Sequence, residues 1–359
     1  MTADPTQVEA AKAALDAHVQ EIVRWHFSPE TGTPVWLRWA EENGVNAAEE
    51  IRTYDELVSR FENFDGERLR KDPHELWIPK AYEGKPFTIF ETGGTTGMPK
   101  QRIGWEDYKT DYEAFSDTLS DEAFPRGGYW LMIGPTGPRR LRLAIEHLAH
   151  HRGSSCYFVD LDPRWVKKLI KTGQGDQAKA YMEHVIDQAV SILENRQVDV
   201  LFTTPRLLET LGDKIEIPAA GIKGVFCGGT EMSPQNVRFL CEEILEGETK
   251  LVPTYGNTLM GLAEHEPGFE ERGYSITYHA PQPRAVLRVT DPDDPRRTVD
   301  YGEWGRVELT TLTKELFLPR FLERDEALRR EPTALHPWDG VGEVRPFQAE
   351  KETIVEGVY

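Results

Sequence analysis

Between residues 7 and 27 the apolar positions Leu15, Val19, Ile22 and Val23 recur at helical spacing, which predicts one long amphipathic helix. From 28 to 86 no period is sustained, and the chain reads as short helical pieces, TYDELVSRF among them, joined by loops. FTIF at 87–90 reads as a strand. Beyond it the pattern alternates. GYWLMIGP is a short apolar strand stopping at Gly134 and Pro135, followed by a helix carrying Leu143, Ile145 and Leu148. SSCYFVDLD is another strand, the segment from Gln174 to Arg196 a long helix, and VDVLFTTPRLLETL a strand, a loop and a helix. IKGVFCGGTEM and KLVPTYGNTLMG each run from an apolar strand into a glycine loop. From Tyr274 the character changes to β, with TYHAPQPRAVLRVT and WGRVELTTLT as strands and turns at DPDDP and DYGEWG. The order predicts an α/β fold with a helix-rich opening, alternating units and a β-rich finish.

The loops change the picture from scaffold to site. FTIFETGGTTGMPKQR (87–102) follows its strand with glycines, threonines and one lysine. Glycines let backbone N–H groups approach a ligand, threonine hydroxyls add donors, and a lysine adds a mobile positive charge. Such a set suits a polyphosphate, although it is not the nucleotide loop GxxxxGK[ST], because Lys100 follows Pro99 and Gln101 stands at the Ser/Thr position. In open α/β sheets ligands sit beyond the carboxyl ends of the strands, so the glycine loops are expected to converge there.

Composition then excludes other classes. Lys and Arg number 42 against 61 Asp and Glu, a net charge of -19, which argues against nucleic acid as a partner. No apolar run approaches the roughly 20 residues of a membrane span, and the first residues lack a signal peptide, so a cytoplasmic protein is expected. Cys156, Cys227 and Cys241 show no CxxC spacing and indicate neither a zinc site nor a disulfide framework. His147, His150 and His151 share a helix at spacings that could suit a metal. With no cysteine or acidic partner paired to them in the sequence, they read as surface or packing residues and no metal ligands are assigned.

TGGTTGMPK (92–100) resembles the phosphate loop of the adenylate-forming acyl/aryl-CoA ligase superfamily. GGTEM (228–232) resembles its adenine-flanking segment, YGNTLMG (255–261) its YGxTE segment, and YGEWGRVELTTLTKE (301–315) with PRFLERD (319–325) the corresponding stretches of the phenylacetate-CoA ligase branch. The resemblance covers about residues 50 to 325. It implies that Thr92, Thr95 and Thr96 with Gly93, Gly94 and Gly97 hold the β- and γ-phosphates of ATP, with Lys100 adding charge. Gly228, Gly229, Thr230 and Glu231 would lie on one face of adenine and Tyr255, with Gly256 and Asn257, on the other. Thr258 would reach the α-phosphate. Asp325 would hold the ribose hydroxyls, the alternative being a solvated, charged helix end in ERDEALRR. Gly134, Pro135 and Thr136, with Met260 and Gly261, would line the acid pocket; Lys314 and Arg320 are candidates for charge contacts or a solvated face.

The resemblance implies an acid–AMP ligase: ATP-dependent activation of a small aryl or acyl carboxylic acid, with Mg²⁺ as companion and AMP as product. Two departures stand out. Leu259 replaces the acidic residue of YGxTE, so magnesium would rest on ATP oxygens and water, or on Glu264 or Glu266, or ATP would be handled poorly. The sequence also stops where family members continue into a mobile C-terminal domain. The expectation is a large domain over 1–335 (α/β to about 273, β-rich over about 274–325) and a short tail over 336–359. In this it looks like the truncated adenylating branch of phenazine antibiotic (D-alanylgriseoluteic acid) biosynthesis. Acyl transfer would then fall to a separate protein or an amino-acid nucleophile, and a homodimer is compatible with the sequence. The CoA-ligase reaction completed by a second polypeptide is another reading. The rival class is a degenerate ligase that carries an aryl acid or nucleotide without catalysis, which Leu259 favours.

Overall fold

The computed structural model describes residues 2–92, 98–229 and 231–347. In chain order the helices and strands are α1 (Pro5–Phe27), α2 (Pro34–Asn43), α3 (Ala47–Glu50), α4 (Tyr54–Arg60), α5 (Arg68–Lys71), β1 (Thr88–Glu91), β2 (Gln101–Gly104), α6 (Asp107–Thr118), β3 (Trp130–Gly134), α7 (Arg140–His151) and β4 (Cys156–Asp160). There follow α8 (Pro163–Lys171), α9 (Gly175–Asn195), β5 (Val200–Thr203), α10 (Pro205–Gly212), β6 (Gly224–Gly228), α11 (Pro234–Phe239), β7 (Lys250–Asn257) and β8 (Gly261–His265). The chain closes with β9 (Thr277–His279), β10 (Ala285–Thr290), β11 (Trp304–Leu312), β12 (Phe317–Arg330) and β13 (Gly340–Pro346). They form two compact units interleaved in sequence. One takes the described residues of Met1–Phe90, Lys100–Asp107 and Thr277–Lys351, the other those of Glu91–Pro99 and Tyr108–Ile276.

The second unit is a doubly wound sheet in the order β4-β3-β5-β6-β7-β8, parallel except for the β7–β8 hairpin. WLMIG, VLFT and GVFCG are buried at every position, as strands covered on both faces must be. On one face Trp130, Met132, Phe202 and Phe226 pack with Tyr112 and Phe115 of α6 and with Ala144, Ile145 and Leu148 of α7. On the other, Leu131, Ile133, Leu201 and Val225 are buried, and α9 packs against β3 and β4.

The first unit joins the helical opening to the β-rich finish. Pro5 at the first turn and a reciprocal cap start α1: Asp4 accepts from Thr6 N at 2.8 Å, and Gln7 accepts from Asp4 N at 3.0 Å. The buried face of α1 includes all four apolar residues that predicted it. The strands run antiparallel in the order β10-β11-β12-β13-β9. Trp36 lies edge-on to Phe317 of β12 at 5.2 Å and also to Phe61 at 5.7 Å. The alternative raised for ERDEALRR fails, since it is not a helix end. It continues β12 to Arg330, and strand structure extends through β13 to Pro346.

Candidate active site

Parallel strands share their direction, so β3, β5, β6 and β7 all end on one edge of the second unit's sheet. Their registers align, with Thr203 opposite Cys227 and Gly228 opposite Thr254. The chain passes from β3 through α7 to β4, then crosses back to β5 on the other side of β3. The strand order therefore reverses between β3 and β5, the position where such sheets open a crevice beyond their carboxyl ends. Gly134, Pro135 and Thr136 leave β3 there, Gly228 and Gly229 leave β6, and Tyr255 to Asn257 end β7. These strand ends therefore share one edge of the sheet.

YGNTLMG is, however, a strand end and a tight turn rather than an open loop. Tyr255 pairs with Ala263, Gly256 with Leu262 and Asn257 with Gly261. The Asn257 side-chain oxygen accepts from the backbone N–H groups of Leu259 at 2.8 Å and Met260 at 2.9 Å, so this side chain builds the turn. A Cβ on Gly256 would stand 2.3 Å from the Gly261 carbonyl oxygen. Gly261 has φ +107°, and a Cβ there would meet Asp111 Oδ2 at 2.7 Å. Beneath it Asp111 and Arg140 form a buried ion pair at 2.8 Å, tying α6 to the start of α7. Leu259 and Met260 are buried. Tyr255 stays half-buried, and Glu231 and Gly229 are exposed.

Glu91 is where the pieces meet. Its N–H donates to Pro138 O at 3.3 Å in the loop after β3. Its own carbonyl accepts from Thr258 Oγ1 at 3.2 Å in the hairpin turn, and its carboxylate takes Arg164 of α8 at 2.7 Å. Thr92, half-buried, follows directly, so the start of the glycine–threonine stretch stands beside both loops. Gly93, Gly94, Thr95, Thr96, Gly97 and Thr230 lie outside the described residues. The Thr136 hydroxyl donates to Asp160 at 2.6 Å and so holds the ends of β3 and β4 together.

Sequence reading missed Thr203 and Thr204 at the end of β5. Both are buried, and neither hydroxyl has a hydrogen-bond partner among the described residues. Thr204 occupies the position before α10 where a threonine usually caps the first turn, but it makes no such bond. The available signal was a pair of threonines closing an apolar strand, which reads equally well as an ordinary helix cap.

Of the two glutamates near Leu259, Glu264 lies in β8 and Glu266 follows it. Glu264 pairs with Thr254 and shares its side of the ladder, opposite to Tyr255 and Ala263. Glu266 lies 3.6 Å from Arg272.

Lys100, Asp325, Lys314 and Arg320 belong to the first unit. Lys100 Nζ stands 4.4 Å above the Phe321 ring, and burial pushes its ammonium below the ordinary lysine range. Asp325 lies within β12 opposite Pro346. Lys314 pairs with Glu21 at 2.8 Å on the surface. Arg320 is no solvated face: fully buried, it binds Glu308 at 3.0 Å and the carbonyls of Phe61 and Pro295 at 3.0 and 2.7 Å. The TTLTKE stretch also turns inward. Glu315 accepts from the N–H groups of Trp105, Glu106 and Asp107 at the start of α6, at 2.7, 2.5 and 3.0 Å. The Thr313 hydroxyl donates to Asp107, which also takes the buried Arg102 at 2.7 Å.

No protein-family model and no curated protein matches the sequence. Among solved structures the chain is similar to a 2-hydroxyisobutyryl-CoA ligase in complex with 2-HIB-AMP and CoA in its thioesterification state. The TM-score is 0.64 at 15% identity, over 94% of this chain and 68% of the ligase. The same ligase in its postadenylation state with 2-HIB-AMP gives 0.64 at 14% identity, over 97% and 70%. An open conformation gives 0.62 at 14% identity, over 92% and 73%. The likeness is one of fold: a mixed α/β chain built like the matched part of that ligase.

Proposed function

We propose that this chain activates a small carboxylic acid with ATP, forming an acyl-adenylate at the carboxyl edge of the parallel sheet. What carries the reading is the meeting at Glu91, where Pro138 of the loop after β3 and Thr258 of the hairpin flank the start of the glycine–threonine stretch. The start of the glycine–threonine stretch and the YGNTLMG turn, two segments that resemble nucleotide-binding motifs of one superfamily, thus meet beside the loop expected to border the acid. A carboxylate oxygen attacks the α-phosphorus, the acyl–oxygen–phosphorus bond forms, and the bond to pyrophosphate breaks with its electron pair leaving on pyrophosphate. The step places negative charge on oxygens, so positioning and fixed positive potential supply most of the rate.

In this proposal the glycine–threonine stretch 92–97 holds the β- and γ-phosphates, Gly228 to Glu231 and Tyr255 bracket the adenine, and Thr258 faces the α-phosphate. Gly134, Pro135 and Thr136, with Met260 and Gly261, border the acid. The hydroxyl and N–H of Thr136 both donate to Asp160, and its carbonyl accepts from Arg139 N–H, so its share is shape. Magnesium enters only as companion of the nucleotide phosphates. An aromatic acid of phenazine type is the substrate class the sequence resemblance favours.

Acid-dependent exchange of labelled pyrophosphate into ATP, run over a panel of aromatic carboxylates, tests the proposal. Exchange with one acid of the panel and none without acid is the expected result. Leu259, buried where the family carries an acid, favours the carrier reading. Tight binding of nucleotide and acid with no exchange would establish that alternative, and no binding of either would end both.

A further inference from the structure

The outward side of the α6–α7 pair carries a cluster that the adenylation site does not use. Ligand atoms of Glu113 on α6 and of His147 and His151 on α7 all lie within 4.8 Å of one another. The two histidines are four residues apart on one helix and therefore project from the same face, one turn apart. Glu113 supplies the acidic partner that spacing along the sequence does not reveal: His147 Nε2 stands 2.7 Å from its Oε1. The edge of Tyr108 packs on His147 at 6.2 Å between ring centres. Both helices bury their inner faces, through Tyr112, Phe115, Ile145 and Leu148, so the backbones presenting the cluster are anchored. The groups remain within reach of solvent, with side-chain exposures of 21% for His147 and 46% for Glu113, and His151 exposed.

We propose that Glu113, His147 and His151 bind a divalent transition-metal ion of the zinc type, with water completing the coordination. Two imidazoles and one carboxylate suit zinc, nickel or cobalt, whereas magnesium and calcium prefer an all-oxygen set. Tetrahedral zinc with bonds of about 2.0–2.1 Å holds its ligand atoms about 3.3 Å apart. Rotation of the half-exposed Glu113 and the exposed His151 would bring the set, all within 4.8 Å and with His147 and Glu113 at 2.7 Å, to that spacing. The ion cross-links α6 and α7, the two helices already joined by Asp111 and Arg140 beneath the hairpin. His147 lies seven residues beyond Arg140, about 10 Å along the helix. A ligand held by the folded chain alone raises its stability by mass action.

Zinc chloride titrated into the purified full-length protein by calorimetry, in a non-chelating buffer, tests the proposal. One ion per chain is expected, with His151→Ala and Glu113→Gln each weakening binding at least about tenfold. His150→Ala, which alters a neighbour outside the cluster, leaves the affinity unchanged. Zinc raises the Tm of the wild type and not that of the His147→Ala/His151→Ala double variant. Because His151 is exposed, its single variant reports binding even where the double variant folds poorly. Absence of saturable zinc binding to the wild type overturns the proposal, as does binding that persists undiminished in His151→Ala and Glu113→Gln.

Discussion

A buried hydroxyl without a partner is expensive, by about 1–3 kcal/mol relative to a bonded one, and native chains keep few of them. Among the described residues Thr203 and Thr204 are two such groups side by side, at the end of the strand bordering the crevice. Thr204→Val keeps the shape and removes the hydroxyl. If that group waits for a ligand, Tm by calorimetry stays at the wild-type value or rises, while affinity for the nucleotide or acid falls about fivefold or more. A Tm lowered by several degrees with binding intact would mean that the hydroxyl serves the fold instead. Residue identity alone did not separate these threonines from Thr136, which was expected to line the acid pocket and whose hydroxyl holds Asp160. Both kinds read as threonine at a strand end, and only the partner distinguishes them.

At the scale of elements, the strand-then-loop units were legible because strands buried on both faces carry unbroken apolar runs, as WLMIG and GVFCG do. The hairpin was not. Its glycines suggested an open loop around a ligand, yet Gly256 is required by the carbonyl opposite and Gly261 by the Asp111–Arg140 pair below. Those two residues lie far upstream, and nothing local to YGNTLMG announces them. Gly261→Ala therefore combines a backbone conformation that L-residues rarely adopt with a Cβ 2.7 Å from a buried carboxylate oxygen. A loss of at least about 2 kcal/mol is expected, read as a lower midpoint in urea unfolding at unchanged slope. A midpoint equal to that of the wild type would show that the hairpin lifts off the ion pair freely.

Across the whole molecule, the long-range return of the chain was the least legible feature. Local pattern predicts α1 and the β-rich finish separately, and says nothing of their joining in one unit. His26 is the residue at which that joining can be measured. Fully buried on α1, it receives the Thr33 hydroxyl on Nδ1 at 2.6 Å and contacts Thr313 O, 287 positions later, through Nε2 at 2.7 Å. A carbonyl can only accept, so the neutral ring carries its proton on Nε2. Burial pushes the imidazole down to about 4 from its ordinary value of 6.5, the contact with Thr313 opposing this in part. As pH falls through 6.5 the unfolded chain binds this proton and the folded chain does not. The stabilisation is thus complete above pH 6.5 and is lost towards pH 4, with roughly 2 kcal/mol gone between pH 7 and pH 5. His265, lowered to about 4 chiefly by burial and then by Lys250, acts in the same direction. Easing of the net charge of -19 by acid acts in the opposite one. Both are present in any variant, so the informative quantity is a difference. His26→Gln cannot take up the proton, and its urea midpoint at pH 7 should be lower than that of the wild type. Its further loss on going to pH 5 should be smaller than the wild-type loss by roughly 2 kcal/mol. Equal losses in the two proteins would mean that His26 titrates alike in the folded and unfolded chain, and the link between α1 and Thr313 would then contribute nothing to acid sensitivity.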